Sequence, residues 1–166
     1  MSLVPNAAPD ELDSPFYIQN EKLCKKWEEY ILARGGQIKG KYNAWSYTIH
    51  TKVESNHTWL IDIKKATYSN GNLLLSSKYQ NLLETLTFTA IFMDTDCKNF
   101  YIGKSFFKRQ SRQHPFYDQI KDLVKRGEFN KSLYEVKFKD SRLTIVFHHQ
   151  NDWFDMADRI LAFDQI

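Results

Sequence analysis

The stretch that decides the fold runs from His57 to Asn72 and reads HTWLIDIKKATYSNGN. Its first part has the period-2 pattern of a strand with one buried face, in which Trp59, Ile61 and Ile63 stand at alternate positions. Its end contains Asn70-Gly71, the strongest short hairpin signal, because a type I′ turn needs positive φ at both central residues. The stretch therefore predicts a strand at 57–67 that pairs antiparallel with a following strand at about 73–79.

Working outward, the same period predicts further strands along the chain. Their approximate ranges are 41–49, 86–92, 100–106, 133–139 and 143–149. Within 133–139 the alternation predicts that Tyr134, Val136 and Phe138 point inward. Asp140-Ser141 supplies the turn to the last strand, in which Leu143, Ile145 and Phe147 face the core.

Three segments show the helical period instead. The first is predicted from Tyr17 to Arg34, with an apolar stripe of Leu23, Trp27, Tyr30 and Ile31. Gly35-Gly36 ends it, and Asn20 is a candidate cap for a shorter version. A second helix is predicted at 115–126, and a third follows an Asn151 cap near the C-terminus.

The order of elements defines the expected fold. Strands with short connections, and helices set apart from them, indicate the α+β class rather than a doubly wound nucleotide fold. We expect an antiparallel sheet of about six or seven strands, with the N-terminal, mid-chain and C-terminal helices packed against it. Residues 1–15 are expected to be a flexible leader, and 16–166 a single α+β domain.

Composition restricts the classes of protein that need consideration. The 166 residues are 42% hydrophobic and 15% aromatic, with a net charge of +3, as in a globular protein with bulky cross-strand pairs. Two distant cysteines predict no structural zinc and a reduced, cytoplasmic protein. No run of 18 apolar residues occurs, so we expect no membrane span. Because an exposed edge strand can pair with a second copy of the chain, we expect a monomer or a weak homodimer.

The positive charge is local. Residues 98–131 contain nine Lys or Arg and three Asp or Glu, a net of +6. Cations interleaved with aromatic rings are typical of a groove for single-stranded nucleic acid. The candidate ligand- or phosphate-binding residues of this basic-aromatic patch, 104–126, are Lys104, Phe106, Lys108, Arg109, Arg112, Lys121 and Lys125. The alternative is an exposed edge whose lysines and arginines prevent edge-to-edge association.

Motifs for catalysis are incomplete. Gly103-Lys104-Ser105 resembles the end of a phosphate loop, but Lys98 occupies the position of the required first glycine. Asp62 and Lys64 point to one face of a strand, as in some metal-dependent nucleases, yet no second acid is suitably placed. The adjacent His148 and His149 face opposite sides and cannot share a metal.

We therefore predict no catalytic residue, no metal site and no cofactor. The primary reading is a non-catalytic module that binds a protein or a small-molecule ligand through an aromatic sheet face or an exposed edge. The alternatives are nucleic-acid or phosphate binding through the patch at 104–126, and a metal-dependent hydrolase or nuclease at Asp62 and Lys64.

Overall fold

The computed structural model of the chain describes residues 2–67, 82–93, 96–103, 119, 133–148 and 153–163. Its strands are β1 (Leu3–Pro5), β2 (Gln37–Tyr42), β3 (Tyr47–Glu54), β4 (Thr58–Thr67), β5 (Leu82–Ile91), β6 (Phe100–Gly103), β7 (Leu133–Lys139) and β8 (Arg142–His148). Its α-helices are α1 (Pro15–Leu32) and α2 (Trp153–Leu161). The strand predicted at 73–79, the Asn151 cap and, apart from Gln119, the helix predicted at 115–126 lie outside the described residues.

The fold belongs to the α+β class, as the sequence predicts, but the sheet differs in detail. Eight strands follow the order β1-β2-β3-β4-β5-β8-β7-β6. The pairs β2/β3, β6/β7 and β7/β8 are antiparallel, whereas β1 lies parallel to β2. The predicted antiparallel sheet of six or seven strands is thus a mixed sheet of eight, because a short N-terminal strand adds to its edge.

The chain divides into two compact units. The first unit contains 1–53 and 62–85, and the second contains 54–61 and 86–166. The first 15 residues, which the sequence predicts to be a flexible leader, contain regular structure: β1 and a short 3-10 helix at Pro9–Glu11. Leu3 of β1 pairs with Gly40 of β2. A Cβ atom at position 40 would clash with the Thr48 carbonyl oxygen of β3. Only glycine therefore fits at this position of β2.

The prediction of one strand at 41–49 is wrong, because a turn divides this segment. The side-chain oxygen of Asn43 accepts hydrogen bonds from the backbone N–H groups of Trp45 and Ser46 at 2.9 and 2.8 Å. Asparagine side chains form such local turns readily, which competes with strand pairing. The result is a hairpin in which Tyr42 and Tyr47 pair as the last residues before the turn.

Helix α1 begins two residues earlier than predicted, and its buried stripe shares Trp27 and Ile31 with the predicted one. Ser14 caps it, accepting a hydrogen bond from the Phe16 N–H, and Pro15 follows. At its end the Gly36 N–H donates to the Ile31 carbonyl, and Gly35 has a φ of +67°, as in a Schellman motif. The buried residues are Tyr17, Asn20, Cys24, Trp27 and Ile31. The proposed capping role of Asn20 is therefore wrong, since this residue is buried inside the helix.

The second unit is built around aromatic and branched side chains. Trp59 meets the rings of Phe88 and Phe92 edge-on, and Phe88 meets Phe147 in the same way. Edge-to-face contacts of this kind add to the gain from burying the rings. The predicted alternation is confirmed in β8, where Leu143, Ile145 and Phe147 are buried, and over the part of β5 that contains the buried Leu86, Phe88 and Ala90. Helix α2 buries Trp153, Met156, Ala157, Ile160 and Leu161.

Candidate functional site

The basic-aromatic patch predicted from the sequence is not tested by the structure. Its predicted binding residues lie outside the described residues: Lys104, Phe106, Lys108, Arg109, Arg112, Lys121 and Lys125. The structure instead places cationic side chains on two outward faces of the sheet, one in each unit.

The first of these is the lysine face of the first unit, which comprises Lys39 and Lys41 of β2, Lys52 of β3 and Lys64 of β4. All four side chains are exposed. They point away from α1, because α1 contacts the opposite side of the strands, where Tyr17 packs on Tyr42 and Tyr42 Oη donates to Glu21 Oε1. Four like charges on neighbouring strands create a local positive potential.

Among the described residues of the first unit, Asp62 lies on the lysine face as well. Its Oδ1 accepts a hydrogen bond from His50 Nδ1 at 2.6 Å, and both side chains are about half exposed. His50 lies directly opposite Lys39 in the sheet. Asp62 therefore adds one negative charge to a face that carries four lysines.

The second surface is the hairpin face of the second unit, formed by the outward side chains of β6, β7 and β8. Lys137 lies between Tyr101 and Thr144, while Lys139 lies opposite Arg142. A shallow cavity of about 320 Å³ is lined by Lys137, Lys139, Asp140, Arg142 and Thr144. Three cations and a hydroxyl against one turn carboxylate form a site that an anionic group fits.

A tight turn aligns the cations of the hairpin face. Asp140 and Ser141 have φ values of 51° and 63°, the geometry of a type I′ turn. The turn is held from two sides, since the Asp140 N–H donates to Asn99 Oδ1 and the Phe92 N–H donates to the Ser141 carbonyl. Lys139 and Arg142 are therefore fixed as the pair that closes the hairpin.

A β-bulge brings aromatic rings to the other end of the hairpin face. Leu133 pairs with Phe147 and Glu135 pairs with Val146, so Tyr134 is an extra residue in β7. The prediction that Tyr134 points inward is therefore wrong, and the side chain is 46% exposed. Its ring stacks on that of His148, with centroids 4.1 Å apart and an interplanar angle of 16°.

Two further side chains on this face, those of Tyr101 and Glu135, are hydrogen-bonded to each other. Tyr101 Oη donates to Glu135 Oε2 at 3.1 Å. Burial is the largest cause that raises the pKa of Tyr101, and the hydrogen bond to Glu135 adds to it. The phenol therefore stays neutral and holds the Glu135 carboxylate between the cations and the stacked rings.

The structure gives the sequence-based catalytic candidates little support. In the described part of the chain, no three or more His, Cys, Asp or Glu residues are grouped so that they could hold a metal ion. Asp62 is bonded to His50, and Lys64 is one of the exposed lysines. Burial raises the pKa of the Cys97 thiol, which makes it a poor nucleophile at neutral pH. His149 lies outside the described residues.

Sequence reasoning missed both faces. Lys39 and Lys41 stand at alternate positions in β2, which is a detectable signal. Lys52 and Lys64 join them in one surface only after β2, β3 and β4 are placed side by side. The exposure of Tyr134 depends on an extra residue whose presence is set by the pairing of β7 with β8.

The fold and the two faces define an α+β protein with cationic outward sheet surfaces. No protein family model, no curated protein and no solved structure matches this chain. No helix among the described ranges is long and apolar enough to cross a membrane.

Proposed function

We propose that this protein is a non-catalytic binding module whose lysine face binds the phosphate backbone of a nucleic acid. The observation that carries the proposal is the arrangement of Lys39, Lys41, Lys52 and Lys64 on one exposed side of adjacent strands. A sheet surface of this kind presents several cations to a phosphate backbone without needing a preformed cavity.

Several features favour a polyanion over a small ligand. The four lysines are spread over three strands, so a single phosphate could contact only part of the set. Neighbouring strands lie about 4.8 Å apart, which extends the lysine face over roughly 10 Å across the strands. Lysine acts on phosphate as a mobile point charge with no fixed geometry, which suits backbone contact without recognition of sequence.

The proposal differs from the patch at 104–126 in its location but shares its chemistry. Both depend on cations clustered within a chain of low overall charge. The lysine face is favoured here because the register of β2 and β3 places Lys39, Lys41 and Lys52 on one side of the sheet.

The test compares two triple variants with the same change in net charge. Lys39→Gln/Lys41→Gln/Lys64→Gln removes charge from the lysine face. Lys22→Gln/Lys25→Gln/Lys26→Gln is the matched control, because these three lysines are exposed on α1 beside Glu21 and Glu29. Binding of a labelled single-stranded oligonucleotide is followed by fluorescence anisotropy at several salt concentrations.

The wild type and the α1 control should bind with similar affinity and the same salt dependence. The lysine-face variant should bind more weakly, and its slope of log K against log salt should be shallower by about 2, since each lost phosphate contact on a single strand removes about 0.7. Equal weakening by both triple variants would show that only net charge matters. Binding of heparin without binding of the oligonucleotide would point to another polyanion and overturn the proposal.

A further inference from the structure

We infer that the hairpin face of the second unit binds the unpaired bases of a single-stranded nucleic acid, with the stacked Tyr134–His148 pair as its platform. The inference rests on the proposed function for the class of ligand, but it depends on different residues and a different physical interaction. It therefore predicts a preference for single strands that backbone contacts alone do not supply.

The first support is the stacked pair itself. One side of the Tyr134 ring is covered by His148 at 4.1 Å, yet 46% of the Tyr134 surface remains exposed. Large exposed aromatic side chains are costly to leave in water, and the bulge that exposes this ring is a local irregularity that recurs next to binding sites. His148 fixes the plane of the tyrosine ring, so a base can stack on it without ordering a free side chain.

The second support is the position of cations on the same face. Lys137 lies three residues along β7 from Tyr134, a separation of about 10 Å at the usual rise of a strand. Lys139 and Arg142 continue the face to the turn. Stacking rings followed by cations along one surface is the arrangement that single-strand-binding proteins use, because rings hold the bases while cations hold the backbone.

Acidic groups on this face restrict where the backbone can run. Glu135 lies between the rings and Lys137 but is bonded by Tyr101 Oη, and Asp140 lies in the turn. The backbone would therefore cross the strands at Lys137 and Arg142, with the bases directed along the face toward Tyr134. A duplex keeps its bases stacked on one another, so it cannot supply an unpaired base to the platform.

The experiment compares two strands with equal numbers of phosphates. One is a 16-nucleotide thymidine strand, and the other is an abasic strand of the same length. Tyr134→Leu removes the ring, Tyr134→Phe keeps it, and Phe16→Leu is the matched control. Phe16 is 41% exposed and also stacks on a neighbouring ring, that of Trp45, but it belongs to α1 in the first unit.

The wild type, Tyr134→Phe and Phe16→Leu should prefer the thymidine strand to the abasic strand. Tyr134→Leu should lose affinity for the thymidine strand by between about 5-fold and 150-fold, the equivalent of one stacked base. Its affinity for the abasic strand and its salt slope should stay unchanged, since the ring contacts no phosphate. Circular dichroism and the urea midpoint check that each variant is folded.

The alternative outcomes separate the two proposals. If the wild type binds both strands equally and Tyr134→Leu has no effect, backbone binding stands and the base platform is overturned. If the wild type binds neither strand, the proposed function fails, and this inference fails with it. If Phe16→Leu lowers binding as much as Tyr134→Leu does, the loss is not specific to the hairpin face, and the platform is again overturned.

Discussion

At the scale of single residues, Asn20 shows how a buried polar group secures a helix to a turn. It is only 2% exposed. Its Nδ2 donates to the carbonyls of Asn43 and Ala44 at 2.8 and 3.2 Å, and its Oδ1 accepts from Lys65 Nζ at 3.2 Å. One side chain thus satisfies groups from the β2–β3 turn and from β4, which apolar packing alone would leave without partners.

Replacing Asn20 by leucine should lower the free energy of unfolding by about 1–3 kcal/mol. The substitution keeps the side-chain size but leaves two carbonyls without the donor that they have in the native protein. Urea unfolding followed by tryptophan fluorescence measures the change.

The matched control for Asn20→Leu is Gln19→Leu, which changes an exposed amide one residue earlier on the same helix. The control should stay within about 0.5 kcal/mol of the wild type, because surface substitutions rarely have larger effects. Equal losses in the two variants would mean that the hydrogen bonds of Asn20 contribute nothing specific.

At the scale of elements, the β7–β8 turn places two non-glycine residues in a conformation that favours glycine. Asp140 and Ser141 both have positive φ, which costs an ordinary residue about 1 kcal/mol or more. Hydrogen bonds that join the turn backbone to Asn99 and Phe92 offset this cost. The hairpin face depends on this turn, since it sets Lys139 opposite Arg142.

Two substitutions at Ser141 should therefore have opposite effects. Ser141→Gly should raise the free energy of unfolding by up to about 1 kcal/mol, because relief at positive φ exceeds the added freedom of the unfolded chain. Ser141→Val should lower it by about 1–2 kcal/mol, since a branched side chain fits positive φ poorly. Urea midpoints measure both changes.

Ser2→Gly provides the control for Ser141→Gly, because Ser2 is exposed and does not have positive φ. It should give no gain in stability. A gain of the same size at both positions, or a loss with Ser141→Gly, would contradict the assignment of strain to this turn.

The elements also show what the sequence could and could not predict. The alternation in β4, β5 and β8 is regular, so their buried faces were predictable from period alone. The turn at Asn43 was missed because it depends on one side chain bonding two backbone N–H groups. The outward position of Tyr134 was missed because a bulge is defined by the partner strand, and pairing is not visible in a local pattern.

The helix and the sites illustrate the same limit. The buried stripe of α1 includes the polar Asn20, so a search for apolar spacing does not find it. Packing against the sheet determines which side of the helix is buried. Likewise, the lysine face comprises Lys39 and Lys41, then Lys52 eleven residues further along the sequence, and Lys64 twelve residues after that. They form one face only because β2, β3 and β4 are neighbours in the sheet.

At the scale of the molecule, buried ionisable groups make the free energy of unfolding depend on pH in the alkaline range. Burial, with smaller contributions from Glu21 and Glu28, raises the pKa of the Cys24 thiol from 9.0 to about 12. Burial also raises the pKa of Tyr47 well above its ordinary value of 10.0. Both groups belong to the first unit, and both stay protonated in the folded chain at pH values where the unfolded chain ionises.

The sign of the pH effect follows from these two shifts. Below pH 9 both groups are protonated in the folded and in the unfolded state, so their ionisation does not lower the free energy of unfolding. As the pH rises from about 9 toward 12, the unfolded state loses protons that the folded state keeps. The free energy of unfolding should therefore fall, by about 1.4 kcal/mol per pH unit for each group that ionises on unfolding alone.

Urea unfolding between pH 8 and pH 11 tests this linkage. The double variant Cys24→Ala/Tyr47→Phe removes both ionisable groups, so its stability should decline less steeply over this range than that of the wild type. The Tyr47 hydroxyl has no hydrogen-bond partner among the described residues, so its removal breaks no hydrogen bond. Parallel pH curves for the two proteins would show that other groups control the alkaline transition.

The extra residue in β7 has a consequence for how this surface can change during evolution. Leu133 just before it and Val136 two residues after it are buried, so their volumes are limited by the interior. Position 134 carries no such limit, because the bulge lifts it out of the alternation that governs its neighbours. Mutation there can exchange one ring for another, or for a charge, and so alter ligand preference while the hydrophobic core stays as it is.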